Sequence, residues 1–191
     1  RKMVNVKDSF TKMQQAHDAL QAEKAAEARS IHAAKVEQKR KIADVRDRLN
    51  ALFGMDAEPQ KRGKLLEGVL NDLFRAYSIL VKEDFKRHDP GGTLVVEQID
   101  GIIEFEGHIY LVEMKWLKDP VGVNDLSSHF VRLFARPDVR GLFISSSDFA
   151  GTSIAECITH AANKTMVLSS VREIVMLLMS ERDFVQMLRA K

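Results

Sequence analysis

Glu97-Gln-Ile-Asp-Gly-Ile-Ile-Glu-Phe-Glu-Gly-His-Ile-Tyr-Leu-Val-Glu-Met-Lys-Trp116 is the stretch on which the fold of this chain turns. Two runs rich in β-branched and aromatic residues, 95–105 and 108–116, flank Glu106-Gly107. A two-residue hairpin loop fits between them, because glycine takes the positive φ that such turns demand. That loop sets Phe105 opposite His108, and therefore Asp100 opposite Glu113 and Gln98 opposite Lys115. Residues paired across strands share a sheet face, as do residues two apart on one strand. Asp100, Glu113 and Lys115 therefore converge. Facing carboxylates repel, and such a pair persists where a cation or a shared proton offsets the repulsion. Ile102, Ile103, Ile109, Leu111 and Val112 would hold these acids in an apolar sheet. The plain alternative is a half-exposed hairpin whose charges face water, with Lys115 as a passive counter-ion.

Around this hairpin the chain has 191 residues, 45% hydrophobic and 29% charged, which allows one globular domain and an appendage. No apolar run approaches the roughly 20 residues that span a bilayer. No secretory signal pattern is present either. Cys157 is the single cysteine, so no internal disulfide can form and a reducing, cytoplasmic setting is expected. It falls in an expected helix over 153–163, where it reads as a small buried apolar residue. A start at Arg1 rather than methionine fits a piece of a longer protein. Charge is uneven. Residues 1–53 carry 12 Lys and Arg against 7 Asp and Glu, whereas the remainder carries 17 against 20. A basic excess attracts nucleic acid, but one spread over fifty residues reads more simply as a solvated helix surface.

That basic segment contains no glycine or proline over 8–53 and is dense in Ala, Gln, Glu, Lys and Arg, so it predicts one long helix of about 68 Å. Ser9 would cap its start and Gly54 its end. Phe10, Met13, His17 and Leu20, then Ala28, Ile31, Ile42, Val45, Leu49 and Leu52, follow seven-residue spacing in two frames, out of phase, with Lys35 and Gln38 between them. This implies an interrupted coiled coil or a connecting helix, through which the chain would form a homo-oligomer or join a larger complex. The breaker-rich segment 54–60 sets the domain division at 1–57 and 58–191. Next, 61–77 predicts an amphipathic helix burying Leu66, Val69, Leu70, Leu73, Phe74 and Tyr77, with Glu67 beside the buried face, aimed at the sheet or reaching solvent. Residues 78–87 predict an edge strand, followed by a loop over 88–92. After the hairpin come a helix over 123–135, a strand over 140–145, a helix over 153–163, a strand over 165–168, a helix over 171–180 and a last amphipathic segment over 182–189. A hairpin followed by strand-helix-strand-helix implies α/β architecture, a mixed sheet flanked by helices.

The acids, the lysine and this order of elements resemble the PD-(D/E)xK nuclease superfamily, in its Mrr-like restriction endonuclease branch. The residues that carry the resemblance are Gly63-Lys-Leu-Leu-Glu67, Gln98-Ile-Asp-Gly101, Val112-Glu-Met-Lys-Trp116 and Arg140-Gly-Leu-Phe-Ile-Ser-Ser-Ser-Asp-Phe149. They span about residues 61 to 180 and imply a restriction-endonuclease-like core. The resemblance implies that Asp100 and Glu113 coordinate Mg²⁺, with Mn²⁺ able to substitute, and that the Met114 carbonyl is a further ligand. Glu67 would join directly or through a water. Lys115 would orient or deprotonate the attacking water and neutralise charge on the phosphoryl group; flanking acids favour its ammonium form, which weighs toward the second role. Two departures stand out. Where many relatives carry a glutamine in the helix after the lysine strand, this chain offers Asn124, Asp125, Ser128 and His129. Ile99 stands where a proline commonly precedes the first aspartate.

The expected function is a Mg²⁺-dependent endonuclease domain cleaving DNA, of restriction or defence type, with no distinction between DNA and RNA readable from sequence. Lys82, Lys86, Arg87, Lys118 and Arg132 would supply local contacts to nucleic acid or serve as ordinary surface charges. His88 and His129 read as exposed or capping residues. The competing expectation is a catalytically silent nuclease-fold module that binds nucleic acid or protein and assembles through the amino-terminal helix.

Overall fold

The computed structural model describes residues 6–55, 58–88 and 95–191. Its first element is the long helix α1 (Val6–Leu52). The helix begins ahead of Ser9, which lies inside it and is not its cap. Two compact units divide the chain, residues 1–40 and 41–191. In the first, Phe10, Met13, Leu20, Ile31 and Val36 are exposed along the helix. In the second, the last turns of α1 bury Val45, Leu49 and Leu52. The segment read as an appendage thus contributes its end to the core, because these leucines and the valine recur at the three- and four-residue spacing of one helix face.

Helix α2 (Pro59–Ala76) starts with proline, whose missing N–H costs nothing in the first turn. It buries Leu66, Val69, Leu70, Leu73 and Phe74. The edge strand expected over 78–87 is two short strands, β1 (Leu80–Lys82) and β2 (Phe85–His88), separated at Glu83-Asp84. The loop expected over 88–92 lies, past His88, outside the described residues. The first hairpin strand is likewise divided, into β3 (Val95–Ile99) and β4 (Gly101–Phe105), with Asp100 at the break. β3 pairs with β2 in a separate two-stranded sheet, so Gln98 faces Lys86 and not Lys115 as its sequence position suggested. β5 (His108–Lys115) follows, then α3 (Val123–Phe134), β6 (Val139–Ser145), α4 (Gly151–His160), β7 (Met166–Ser170), α5 (Val171–Met179) and α6 (Phe184–Ala190).

The main sheet has the order β1-β4-β5-β6-β7, antiparallel from β1 to β5 and parallel from β5 to β7. It is the mixed sheet expected. The β4–β5 register pairs Phe105 with His108 and Gly101 with Val112, as the hairpin count requires. Glu106 and Gly107 both take positive φ, 51° and 75°, the signature of a type I′ turn whose twist matches the strands. Along β5, alternate residues serve two cores. Tyr110, Val112 and Met114 join Leu49, Leu66, Leu70, Phe74, Ile174 and Phe184 on the face covered by α1, α2, α5 and α6. Leu111 joins Leu126, Phe130, Leu133, Phe143 and the buried Cys157 on the face covered by α3 and α4. Among the described residues no helix is long and apolar enough to cross a membrane.

Candidate active site

Asp100 sits at the break between β3 and β4, where the chain enters the main sheet, and it is 7% exposed. Its Oδ2 accepts a hydrogen bond from the Met114 main-chain N–H at 2.8 Å. Its carbonyl oxygen accepts one from Asn71 Nδ2 on α2 at 3.0 Å. Gly101 permits this approach, since a Cβ there would lie 2.7 Å from Asn71 Oδ1. Burial, and then the negative charge of Glu113, push the Asp100 carboxyl up to about 7; the Met114 N–H offsets part of this, and Glu67 adds to it. The two acids are thus close enough to feel each other, as the register implied.

Glu113 is also 7% exposed and shares its strand face with Leu111 and Lys115. Lys115 Nζ lies 3.7 Å from Glu113 Oε1. It is also 5.9 Å from the centre of the Phe143 ring. The other oxygen, Oε2, is bound by the Arg132 guanidinium from α3. His129 Nδ1 approaches the same oxygen at 3.8 Å.

His129, read from sequence as exposed or capping, is 1% exposed instead. Its side chain is drawn inward because Leu126, Phe130 and Leu133 on either side of it form the buried stripe of α3. Burial, then the positive charge of Arg132, push the imidazole down to about 3, with the Leu111 main chain acting the other way and Lys115 adding to the fall. The ring is therefore neutral near pH 7, and neither nitrogen has a hydrogen-bond partner among the described residues. Asn124 and Ser128, considered as stand-ins for a helix glutamine, are exposed. The residues α3 turns toward the acids are His129 and Arg132.

Glu67 is partly buried on α2, and its Oε2 pairs with Lys64 Nζ at 2.7 Å. Lys64 also reaches Asp84 at 3.0 Å, and both acids hold its ammonium well above the usual lysine range. Glu67 thus acts on Asp100 through its field.

The donors suit a hard cation: the buried carboxylates of Asp100 and Glu113, and the main-chain carbonyl of Met114 next to Glu113 on β5. Among the described residues no group of three or more His, Cys, Asp or Glu side chains is arranged to hold an ion. A Mg²⁺ ion here would rest on Asp100, Glu113 and main-chain oxygen with several waters, which is how this ion is commonly held.

No family model matches the chain, and no curated protein does. Among solved structures it is similar to a protein of unknown function, AF1548, at 16% identity and a TM-score of 0.45, over 60% of this chain and 64% of that one. It is similar to the MspJI restriction endonuclease, solved with a 27-mer oligonucleotide, at 19% identity and 0.45, over 74% of this chain and 34% of that one. A third is the DNA modification-dependent restriction endonuclease AspBHI, at 17% and 0.43, over 81% and 38%. The match thus spans from about a third to less than two-thirds of those proteins' lengths. At this distance the reading of the site rests on its own residues.

Proposed function

We propose that this chain carries a restriction-endonuclease-like domain of the PD-(D/E)xK, Mrr-like kind, which hydrolyses phosphodiester bonds in DNA with Mg²⁺. The observation that carries the reading is the buried pair Asp100 and Glu113, in which burial first and the charge of Glu113 second hold the Asp100 carboxyl at about 7, with Lys115 at 3.7 Å from Glu113. A site of that charge is costly in a metal-free core and is put to use by a divalent cation and a phosphate.

In this reading Asp100, Glu113 and the Met114 carbonyl hold the ion, and Glu67 biases the cluster from α2. Mg²⁺, when bound, supplies charge stabilisation at the phosphoryl group and lowers the pKa of a water. Lys115 presents its ammonium beside Glu113, where it neutralises charge that builds on a non-bridging phosphate oxygen. The Met114 N–H keeps Asp100 Oδ2 turned toward β5, and Asn71 keeps the Asp100 main chain from shifting. Apolar packing by Ile99, Leu111 and Phe143 limits water around the acids.

The exposed apolar residues of the first forty positions suit assembly with other copies or a larger complex. A single, buried Cys157 suits a reducing cytoplasm.

The test is incubation of supercoiled DNA with Mg²⁺ or EDTA, beside Asp100→Ala and Lys115→Ala, with an RNA substrate in parallel. Nicking by the wild type with Mg²⁺ alone, lost in both variants, is expected. Absence of cleavage of either nucleic acid, together with no Mg²⁺ binding by calorimetry, would sink the catalytic reading and leave the silent module.

A further inference from the structure

Glu113 carries more positive charge around it than one carboxylate needs. Lys115 stands 3.7 Å from Oε1, and the Arg132 guanidinium is bound to Oε2. Adding a divalent cation to that carboxylate crowds three positive centres around one acid, and like charges in a poorly hydrated site repel strongly. Lys115 is fixed in sequence and in position on the same strand as Glu113, two residues away. Arg132 is the member that occupies a carboxylate oxygen directly: its guanidinium, from α3, hydrogen-bonds Oε2, whereas Lys115, with 30% of its side chain exposed, only stands near Oε1.

We infer that Arg132 is a positioning residue which holds Glu113 in the metal-free chain and competes with the divalent cation for that carboxylate. The inference rests on the metal-dependent reading above. Arg132 fills the role of counter-ion while the site is empty of other cations, and it prevents a bare glutamate from lying in an apolar wall. His129 serves as a fixed neutral stop behind the same oxygen. Its ring is hemmed in by Gly141, where a Cβ would meet Nε2 at 3.1 Å, and by the Phe143 ring, whose centre is 6.1 Å away. Entry of the cation moves the guanidinium outward, toward solvent and any phosphate arriving there.

The test is calorimetric titration of Mg²⁺ into the full chain, into Arg132→Gln and into Arg132→Lys, with metal-free thermal melts of all three. Arg132→Gln is expected to melt lower without metal yet to bind Mg²⁺ about tenfold more tightly, because a competing charge is gone. Arg132→Lys keeps the charge and is expected to fall between the two. Unchanged or weaker Mg²⁺ binding by a folded Arg132→Gln, in a protein whose wild type does bind Mg²⁺, overturns the inference alone. Absence of Mg²⁺ binding in every form overturns both the inference and the metal-dependent reading. A double-mutant cycle with Glu113→Gln in metal-free melts adds a readout independent of any metal: the two changes are expected to be strongly non-additive, and additivity overturns the pairing.

Discussion

Asp100 and Met114 are joined by a single hydrogen bond, from the Met114 main-chain N–H to Asp100 Oδ2 at 2.8 Å. It ties a residue at a break between strands to the centre of the sheet. It also favours the carboxylate in a place where burial and Glu113 oppose it, and the opposition wins, with the group held at about 7.

Asp100→Asn is expected to stabilise the metal-free protein at pH 8 while abolishing metal-dependent cleavage. The folded pKa lies above the unfolded one, so the native state binds the extra proton between about 4 and 7 and loses stability as pH rises through that window. Asparagine is neutral throughout and can still accept from Met114. Melting curves should therefore differ by roughly 1–3 kcal/mol at pH 8 and converge below pH 4. A variant less stable than the wild type at pH 8 contradicts this account of Asp100.

Added Mg²⁺ should raise the melting temperature more at pH 8 than at pH 6, because the ion requires Asp100 ionised and the carboxyl titrates at about 7. Thermal shifts at fixed Mg²⁺ across that range check it. A shift independent of pH would move metal binding away from Asp100.

Replacing Lys115 with methionine keeps the stem and removes the ammonium. Cleavage should fall by about 10²–10³-fold, the scale for removing one charge-stabilising group at a reacting centre. The fold should hold, as the side chain is partly exposed and Arg132 still binds the Glu113 carboxylate that Lys115 faces at 3.7 Å. Circular dichroism and single-turnover cleavage separate the two effects.

Asn71→Ala leaves the Asp100 carbonyl without its side-chain donor and should cost about 1–3 kcal/mol. Gly101→Ala should also destabilise, because its Cβ meets Asn71 Oδ1 at 2.7 Å. In the Asn71→Ala background that clash is gone, so the Gly101→Ala penalty should shrink. Equal penalties in the two backgrounds, measured by urea unfolding, would rule out this contact as the reason for glycine.

Gly141→Ala probes the packing behind Glu113. A Cβ on β6 would meet Leu133 Cδ1 at 2.7 Å and His129 Nε2 at 3.1 Å, both on the buried face of α3. Overpacking there should cost about 1–3 kcal/mol and push α3, with Arg132, off the sheet. Crystals of the variant should show the Arg132–Glu113 pair broken; an intact pair at wild-type stability refutes the claim.

Local chemistry made the hairpin legible in advance. Two-residue alternation and the Glu106-Gly107 turn are enough to set the register, and both are written within ten residues of the acids. Helices α2 to α5 were readable from their apolar spacing, which a buried face imposes directly. The division at Asp100 was not, because whether 95–105 runs on as one strand depends on β2 taking β3 as a partner. The surroundings of Glu113 were also hidden. His129 and Arg132 are three residues apart, hence neighbours on a helix, but only the docking of α3 against β6 aims that edge at the acid. Asn71 left a clue in retrospect, lying one turn after Glu67 among buried leucines where an amide needs a partner.

The alternation of β5 has a further consequence. Val112 and Met114 are packed into one core, while Glu113 and Lys115 lie on the opposite side. A slip of one residue in this strand would turn Glu113 and Lys115 into the apolar core beneath α2 and α5 and set Val112 and Met114 against Arg132 and His129. The aim of the acid and the lysine is thus set by the same packing that sets the strand: a chain that misdirects them also loses its core.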